Sequence, residues 1–157
     1  MKVAATLTVN GFSYPVEIEP RATLLATVRD TLGLTGAKEG CDDSECGACM
    51  MLLDGEPVNS CSFLALQAQG RSIVTVEGLA GNGDLHPLQR QFLAQGGVQC
   101  GFCTPGMLIS AKALLDRNPD PSEDEIRITL SNNLYHCTNY QGIIHTVQAA
   151  TQKMAKA

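Results

Sequence analysis

The stretch KEGCDDSECGAC, residues 38–49, decides the fold. It carries Cys41, Cys46 and Cys49, and a fourth cysteine, Cys61, follows after eleven residues. A C-x4-C-x2-C run with a distant fourth cysteine is the ligand spacing of a [2Fe–2S] cluster. Two irons bridged by sulfides need four thiolates converging on a small volume. One loop can supply three of them only by wrapping around the cluster. Gly40 and Gly47 suit that wrap, because a residue without a side chain lets backbone amides come close to the cluster sulfurs. A structural zinc site is the rival reading of the same cysteines.

The segments around this loop fall into a small α+β unit. Residues 3–10 and 14–19 read as strands of a hairpin with Gly11 at the turn. Residues 22–33 carry Leu24, Leu25, Val28 and Leu32 at helical spacing and end at Gly33. After the cysteine loop, Met50 to Leu53 form a short apolar strand, with Met50 and Met51 expected in its core. Asp54-Gly55 marks a second hairpin turn, and residues 72–76 form a closing strand. Hairpin, helix, cluster loop, hairpin and strand is the order of a ferredoxin-type β-grasp fold.

The Gly-rich run LAGNGDL, residues 79–85, contains Asn82-Gly83 and marks the domain boundary, giving units 1–79 and 80–157. Beyond it the pattern is helical. His86 to Gln95 reads as a short helix, with His86 a capping or surface residue. Thr104-Pro105 reads as a cap with proline at the first helical position. Met107, Leu108, Ala111, Leu114 and Leu115 form that helix's apolar stripe. Ser122 and Glu125 form a capping box for a helix over 123–131. A last helix runs from about Gln141 to Met154, with Ile144, Val147 and Ala150 on one face. Four helices joined by short loops predict a bundle.

Composition narrows the function. The chain has 157 residues and 44% hydrophobic content, enough for a packed core, but no Trp and only 4% aromatics, so the core is aliphatic. A net charge of −5 without a Lys/Arg cluster argues against nucleic acid as a partner. No apolar run approaches the ~20 residues of a membrane span. The N-terminus has no secretory pattern, so the chain is expected in the cytoplasm. Seven cysteines in such a chain point to metal rather than disulfides.

The three remaining cysteines lie just before predicted helices: Cys100 and Cys103 in VQCGFCTPGM (98–107), Cys137 in NLYHCTNYQG (133–142). Helix N-termini offer free amides to a negatively charged, thiolate-rich group. A thioredoxin-like pair lacks the β-α-β context it needs. A Cys3His zinc site would use these cysteines with His136 or His145. A second Fe–S cluster is the third reading.

The two motifs together resemble the small iron–sulfur subunit of the molybdenum hydroxylases, the xanthine dehydrogenase, carbon monoxide dehydrogenase and aldehyde oxidoreductase relatives. The likeness spans nearly the whole chain, including AKALLDRNPDPS (111–122). It implies a β-grasp domain and a four-helix domain, each holding a [2Fe–2S] cluster. The second cluster would sit on Cys100, Cys103 and Cys137. The function implied is electron relay from a molybdopterin centre on a large subunit to an FAD-binding subunit or an external acceptor. By the same resemblance, Gln99 and Cys137 contact the molybdopterin. The alternative is a free-standing ferredoxin-like carrier with one cluster and a zinc-bound or metal-free helical domain.

One departure from the family stands out. Where it has two cysteines in C-x-C, this chain reads Tyr135-His136-Cys137, and Asn139 stands in place of Gly. The second cluster is thus offered three thiolates, with Tyr135 a candidate fourth ligand. His136 is the weaker candidate, since the middle residue of such a motif tends to point away. An incomplete or missing cluster, or a last ligand from water or a partner, are the other readings. His145 reads as packing or surface. Asp42, Asp43 and Glu45 read as a solvated loop, or as charges that lower the first cluster's potential. No Ser/His/Asp set or phosphate loop is present, so substrate chemistry is expected on another subunit.

Overall fold

The computed structural model describes residues 1–81 and 83–154. Asn82, half of the expected boundary dipeptide, lies outside them.

The first half folds on period-two alternation. Strand β1 (Val3–Val9) turns Ala5, Leu7 and Val9 inward, and β2 (Phe12–Ile18) does the same with Val16 and Ile18. They pair antiparallel with Val9 opposite Phe12, leaving Asn10-Gly11 as a two-residue loop. Both loop residues have positive φ, 52° and 82°, as a type I′ hairpin requires. Strands β3 (Met50–Leu53) and β4 (Glu56–Asn59) repeat the device, with Asp54 at 53° and Gly55 at 86°. Strand β5 (Ser72–Val74) runs parallel to β1 and antiparallel to β3, so the sheet order is β2-β1-β5-β3-β4.

Two elements depart from the sequence expectation. The helix expected over 22–33 is a short turn, α1 (Leu24–Ala26), continued by a π-helical turn over Thr27–Thr31. Thr23 caps α1 by accepting from Ala26 N, and Leu32 N reaches back to Thr27 O in the wide turn. The widening still buries Leu24, Leu25 and Val28 against the sheet. The closing strand ends at Val74 rather than residue 76. Thr75 is diverted by a hydrogen bond from its amide to Asn10 Oδ1, and a 3-10 turn follows over Val76–Leu79.

The second half holds α2 (Pro87–Ala94), α3 (Thr104–Arg117), α4 (Glu123–Leu130) and α5 (Tyr140–Met154). His86 caps α2 through Nδ1, and Ser122 with Glu125 forms the expected capping box on α4. Thr104 is not a cap: it is already helical, Cys103 holds the cap position, and Pro105 follows inside the first turn. Helix α2 packs on α5, α4 bridges α3 and α5, and α3 also lies against β3.

That last contact sets the architecture. All four residues of β3 are buried. Met51 and Leu53 join the core under the sheet with Leu7, Val9 and Ile73, while Met50 and Leu52 join the helical core with Phe92, Met107 and Ile109. One strand therefore feeds both cores. At ~25 cal/mol per Å² of apolar surface, this seam outweighs the exposed Arg117–Glu56 ion pair between α3 and β4, which is worth about 0–1 kcal/mol. Among the described residues no helix is long and apolar enough to cross a membrane.

Candidate metal centres

The first cysteine loop is curled by left-handed backbone at Asp42, Ser44 and Gly47, with φ of 59°, 68° and 69°. The curl turns backbone N–H groups inward, an arrangement that suits an anionic group. The Cys46 amide donates to Cys41 Sγ at 3.3 Å. Gly40 must be glycine: a Cβ there would lie 2.8 Å from Cys46 Sγ. The loop is braced from outside by Lys38 N to Ala48 O (3.0 Å) and Asn59 Nδ2 to Ser44 O (2.9 Å). Cys49 leads directly into β3, and Cys61 lies just past β4. Ser60 Oγ, donating to Cys49 O at 2.6 Å, locks these two ends together.

The four thiols differ in their surroundings. Cys41 and Cys46 are partly exposed, whereas Cys49 and Cys61 are buried. Burial pushes the Cys49 thiol up to about 12, and Cys46 is also raised, chiefly by burial. Asp43's carboxylate works to raise Cys41, but backbone amides of Asp43 and Cys46 leave it below its ordinary value. A bound metal ion reverses the preference of the buried thiols, because a coordinated thiol is deprotonated outright. A cradle with a missing Cβ, inward amides and four thiols on two converging loops fits a [2Fe–2S] group.

The second cysteine set lies at the entry to α3 and before α5. Gly101, at φ 83°, turns the chain between Cys100 and Cys103. Cys100 and Cys137 are exposed and Cys103 is partly buried against the helical core. The Phe102 amide and then the neighbouring Cys137 thiol hold Cys100 below its ordinary value, while burial and then the Cys100 charge raise Cys103. Three thiols thus meet within electrostatic reach.

Tyr135 lies beside them. Its amide donates to Tyr140 Oη (2.9 Å), which in turn donates to Asn133 O (2.7 Å). The two rings meet edge to face with centroids 5.9 Å apart. Gln99 Nε2 donates to Thr138 Oγ1 at 3.5 Å, and Thr138 donates to Tyr135 Oη at 3.2 Å. His136 is exposed. His145, also exposed, meets Gln141 through Nε2 at 2.9 Å. Among the described residues no three His, Cys, Asp or Glu side chains converge as a single-ion site requires. A dinuclear cluster has no such requirement, because each iron takes two of the four ligands.

The two loops are joined directly. Leu134 N donates to Cys46 O at 2.9 Å, and the fully buried Asn133 donates through Nδ2 to Gly47 O at 3.0 Å. Gly106, in the first turn of α3, abuts the Gly47 carbonyl so closely that a Cβ would collide with it. A Cβ at Gly40 would touch the Phe102 ring at 3.5 Å. Asn133, Leu134, Gly106 and Phe102 were missed from sequence. Their role lies in partners more than fifty residues away, and neither period nor spacing signals that.

Comparison with known proteins agrees with this geometry. A family model described as a 2Fe-2S iron-sulfur cluster binding domain matches residues 7–74, and one described as a [2Fe-2S] binding domain matches residues 75–148. The second match disfavours a zinc-bound or metal-free helical half. The chain is 46% identical over 154 residues to the nicotinate dehydrogenase small FeS subunit of Eubacterium barkeri, covering 98% of each. It is 40% identical over 151 residues to the aldehyde oxidoreductase of Megalodesulfovibrio gigas, covering 94% of this chain and 17% of that one. Quinoline 2-oxidoreductase from Pseudomonas putida 86 superposes with a TM-score of 0.94 at 42% identity, covering 99% of this chain and 98% of that chain. Full-length similarity to small subunits, with both cysteine sets inside the matched domains, gives the assignment: the chain belongs to the electron-transferring small iron–sulfur subunits of the molybdenum hydroxylases.

Proposed function

We propose that this chain is the relay between a molybdopterin centre on a large partner subunit and an electron acceptor, a flavin on an FAD-binding subunit or an external one. Cys41, Cys46, Cys49 and Cys61 hold one [2Fe–2S] cluster, and Cys100, Cys103 and Cys137 supply three ligands of another. When bound, each cluster supplies a one-electron redox centre. The chain is read as a β-grasp domain over 1–79 and a four-helix domain over 80–157, acting in the cytoplasm.

The observation that carries the reading is the joint between the two cysteine loops. Electron transfer weakens steeply with distance and is helped by bonded contact. Leu134 N bonds the Cys46 carbonyl, and Asn133 bonds that of Gly47. The backbone that bears one cluster's ligands therefore bonds the backbone that bears the other's. The exposed Gln99, Cys100 and Cys137 form the outward end of the second site, which suits Gln99 and Cys137 for contact with a partner's molybdopterin. The thiolates bind, the inward amides orient and stabilise, and the buried glycine contacts hold the loops at a fixed separation.

Iron quantitation with EPR of the dithionite-reduced complex tests the reading. About four irons per chain and two distinct rhombic signals are expected. About two irons and a single signal would sink the two-cluster relay.

A further inference from the structure

We propose that Tyr135 supplies the fourth ligand of the second cluster through its phenolate oxygen, beside the thiolates of Cys100, Cys103 and Cys137. This rests on the reading that the helical half holds a [2Fe–2S] group, and it names the residue that completes the site.

Three observations carry it. The first is position. Tyr135 is two residues before Cys137, in a loop whose backbone is fixed on both sides: Asn133 to Gly47 O at 3.0 Å, Leu134 N to Cys46 O at 2.9 Å, and Tyr135 N to Tyr140 Oη at 2.9 Å. The ring is held in turn by its own contacts, with Tyr140 and, at its phenol oxygen, with Thr138. Its ring is partly buried against the same core as Cys103 and packs edge to face on Tyr140. Cys100 and Cys137 are exposed neighbours, so Cys103 and Tyr135 are left as the inner pair.

The second is the direction of hydrogen bonding. Gln99 Nε2 donates to Thr138 Oγ1, and Thr138 donates to the phenol oxygen. Gln99 adjoins Cys100 and Thr138 adjoins Cys137, so this chain of donors spans the two ligand loops and ends on Tyr135 Oη. Successive donors polarise one another. A ligating phenolate has lone pairs and no proton, so it takes hydrogen bonds only as an acceptor, which is the role Thr138 gives it. Binding releases the phenolic proton to solvent, and tyrosinate is an established iron ligand.

The third is the competition. The four other cysteines belong to the first loop pair. His86 Nδ1 caps α2, and His145 is bonded to Gln141 on the exposed side of α5. His136 is exposed on the loop.

The test compares the full-length chain, loaded anaerobically with iron and sulfide, with Tyr135→Phe and Tyr135→Cys. In the wild type, resonance Raman excited in the phenolate-to-iron charge-transfer region shows tyrosinate ring modes. Tyr135→Phe abolishes those modes and drops the iron content from about four to about two per chain, with the first cluster's EPR signal retained as the folding control. Tyr135→Cys restores about four irons with a thiolate-only spectrum. A wild type with about four irons and no tyrosinate modes overturns the proposal and leaves the relay standing. So does a Tyr135→Phe variant whose iron content and spectrum are unchanged. A wild type with about two irons overturns both.

Discussion

Asp43 is the member of the acidic loop whose carboxylate acts on Cys41, one of the thiols proposed to hold the first cluster, although Asp42 and Glu45 are exposed as well. Proximity distinguishes it, since the energy between charges falls with distance and exposed charges are screened. A negative charge beside a cluster disfavours adding an electron. Asp43→Asn is therefore expected to raise the first cluster's reduction potential in a redox titration, and Asp42→Asn to change it less. Equal shifts would mean that the loop acts only through its net charge. At this scale the sequence was most informative where chemistry fixes spacing. The two cysteine spacings and the Ser122–Glu125 box could be read from local pattern, whereas Tyr135 stood out only against the family's C-x-C. Gly106 and Asn133 could not be read that way, because what constrains them is the Gly47 carbonyl, far off in the chain.

Among elements, the capping box that starts α4 was legible, whereas the Thr104 cap and the interrupted helix were not. The apolar spacing of Leu24, Leu25 and Val28 fits a helix, and those residues are buried as it requires. The sequence has no marker for the π turn that follows, which depends on closure of the loop toward the cysteines. There Arg29 Nη1 donates to Thr35 O at 2.9 Å and also bonds Ala37 O. His86, read as a cap or surface residue, caps α2 by accepting from Leu88 N at 3.2 Å. Only the neutral ring can accept. Burial, and then the Lys112 charge, lower its pKa from the ordinary 6.5, with Asp116 opposing. The folded chain thus holds fewer protons here than the unfolded chain. The cap contributes fully above pH 6.5 and is lost as pH falls through the lowered folded value. His86→Asn keeps a cap acceptor that does not titrate. A melting-temperature profile against pH is expected to be flatter below about pH 6.5 for the variant, and His86→Ala is expected to lose about 1 kcal/mol near neutrality. Parallel profiles for His86→Asn and the wild type would remove the cap from the acid response.

In the whole molecule, two halves of different class share one strand. Read from sequence, Met50 to Leu53 is a short apolar strand of the first unit, and its unbroken hydrophobicity carries no face information. A strand covered on one side alternates, whereas one covered on both reads as a continuous run. In the structure the run is explained by α3 on one face and the sheet core on the other. The seam fixes the halves, and the Asn133–Gly47 bond fixes the cysteine loops across it. Asn133 has no exposed surface, and Asn133→Ala removes one donor from the Gly47 carbonyl, which keeps the Met50 amide at 3.2 Å, so the change is expected to cost about 0.5–1.5 kcal/mol. The β3 seam is untouched by that change, so the chain is expected to stay folded with both cysteine sets in place. The separation and bonding between the loops are what alter. If the joint carries electrons, pulse-reduction kinetics on the loaded complex will show slower equilibration between the two clusters in Asn133→Ala, with iron content and both EPR signals preserved. An unchanged rate in a destabilised but fully loaded variant would reduce Asn133 to a packing residue and leave the Leu134–Cys46 bond as the remaining direct connection to test.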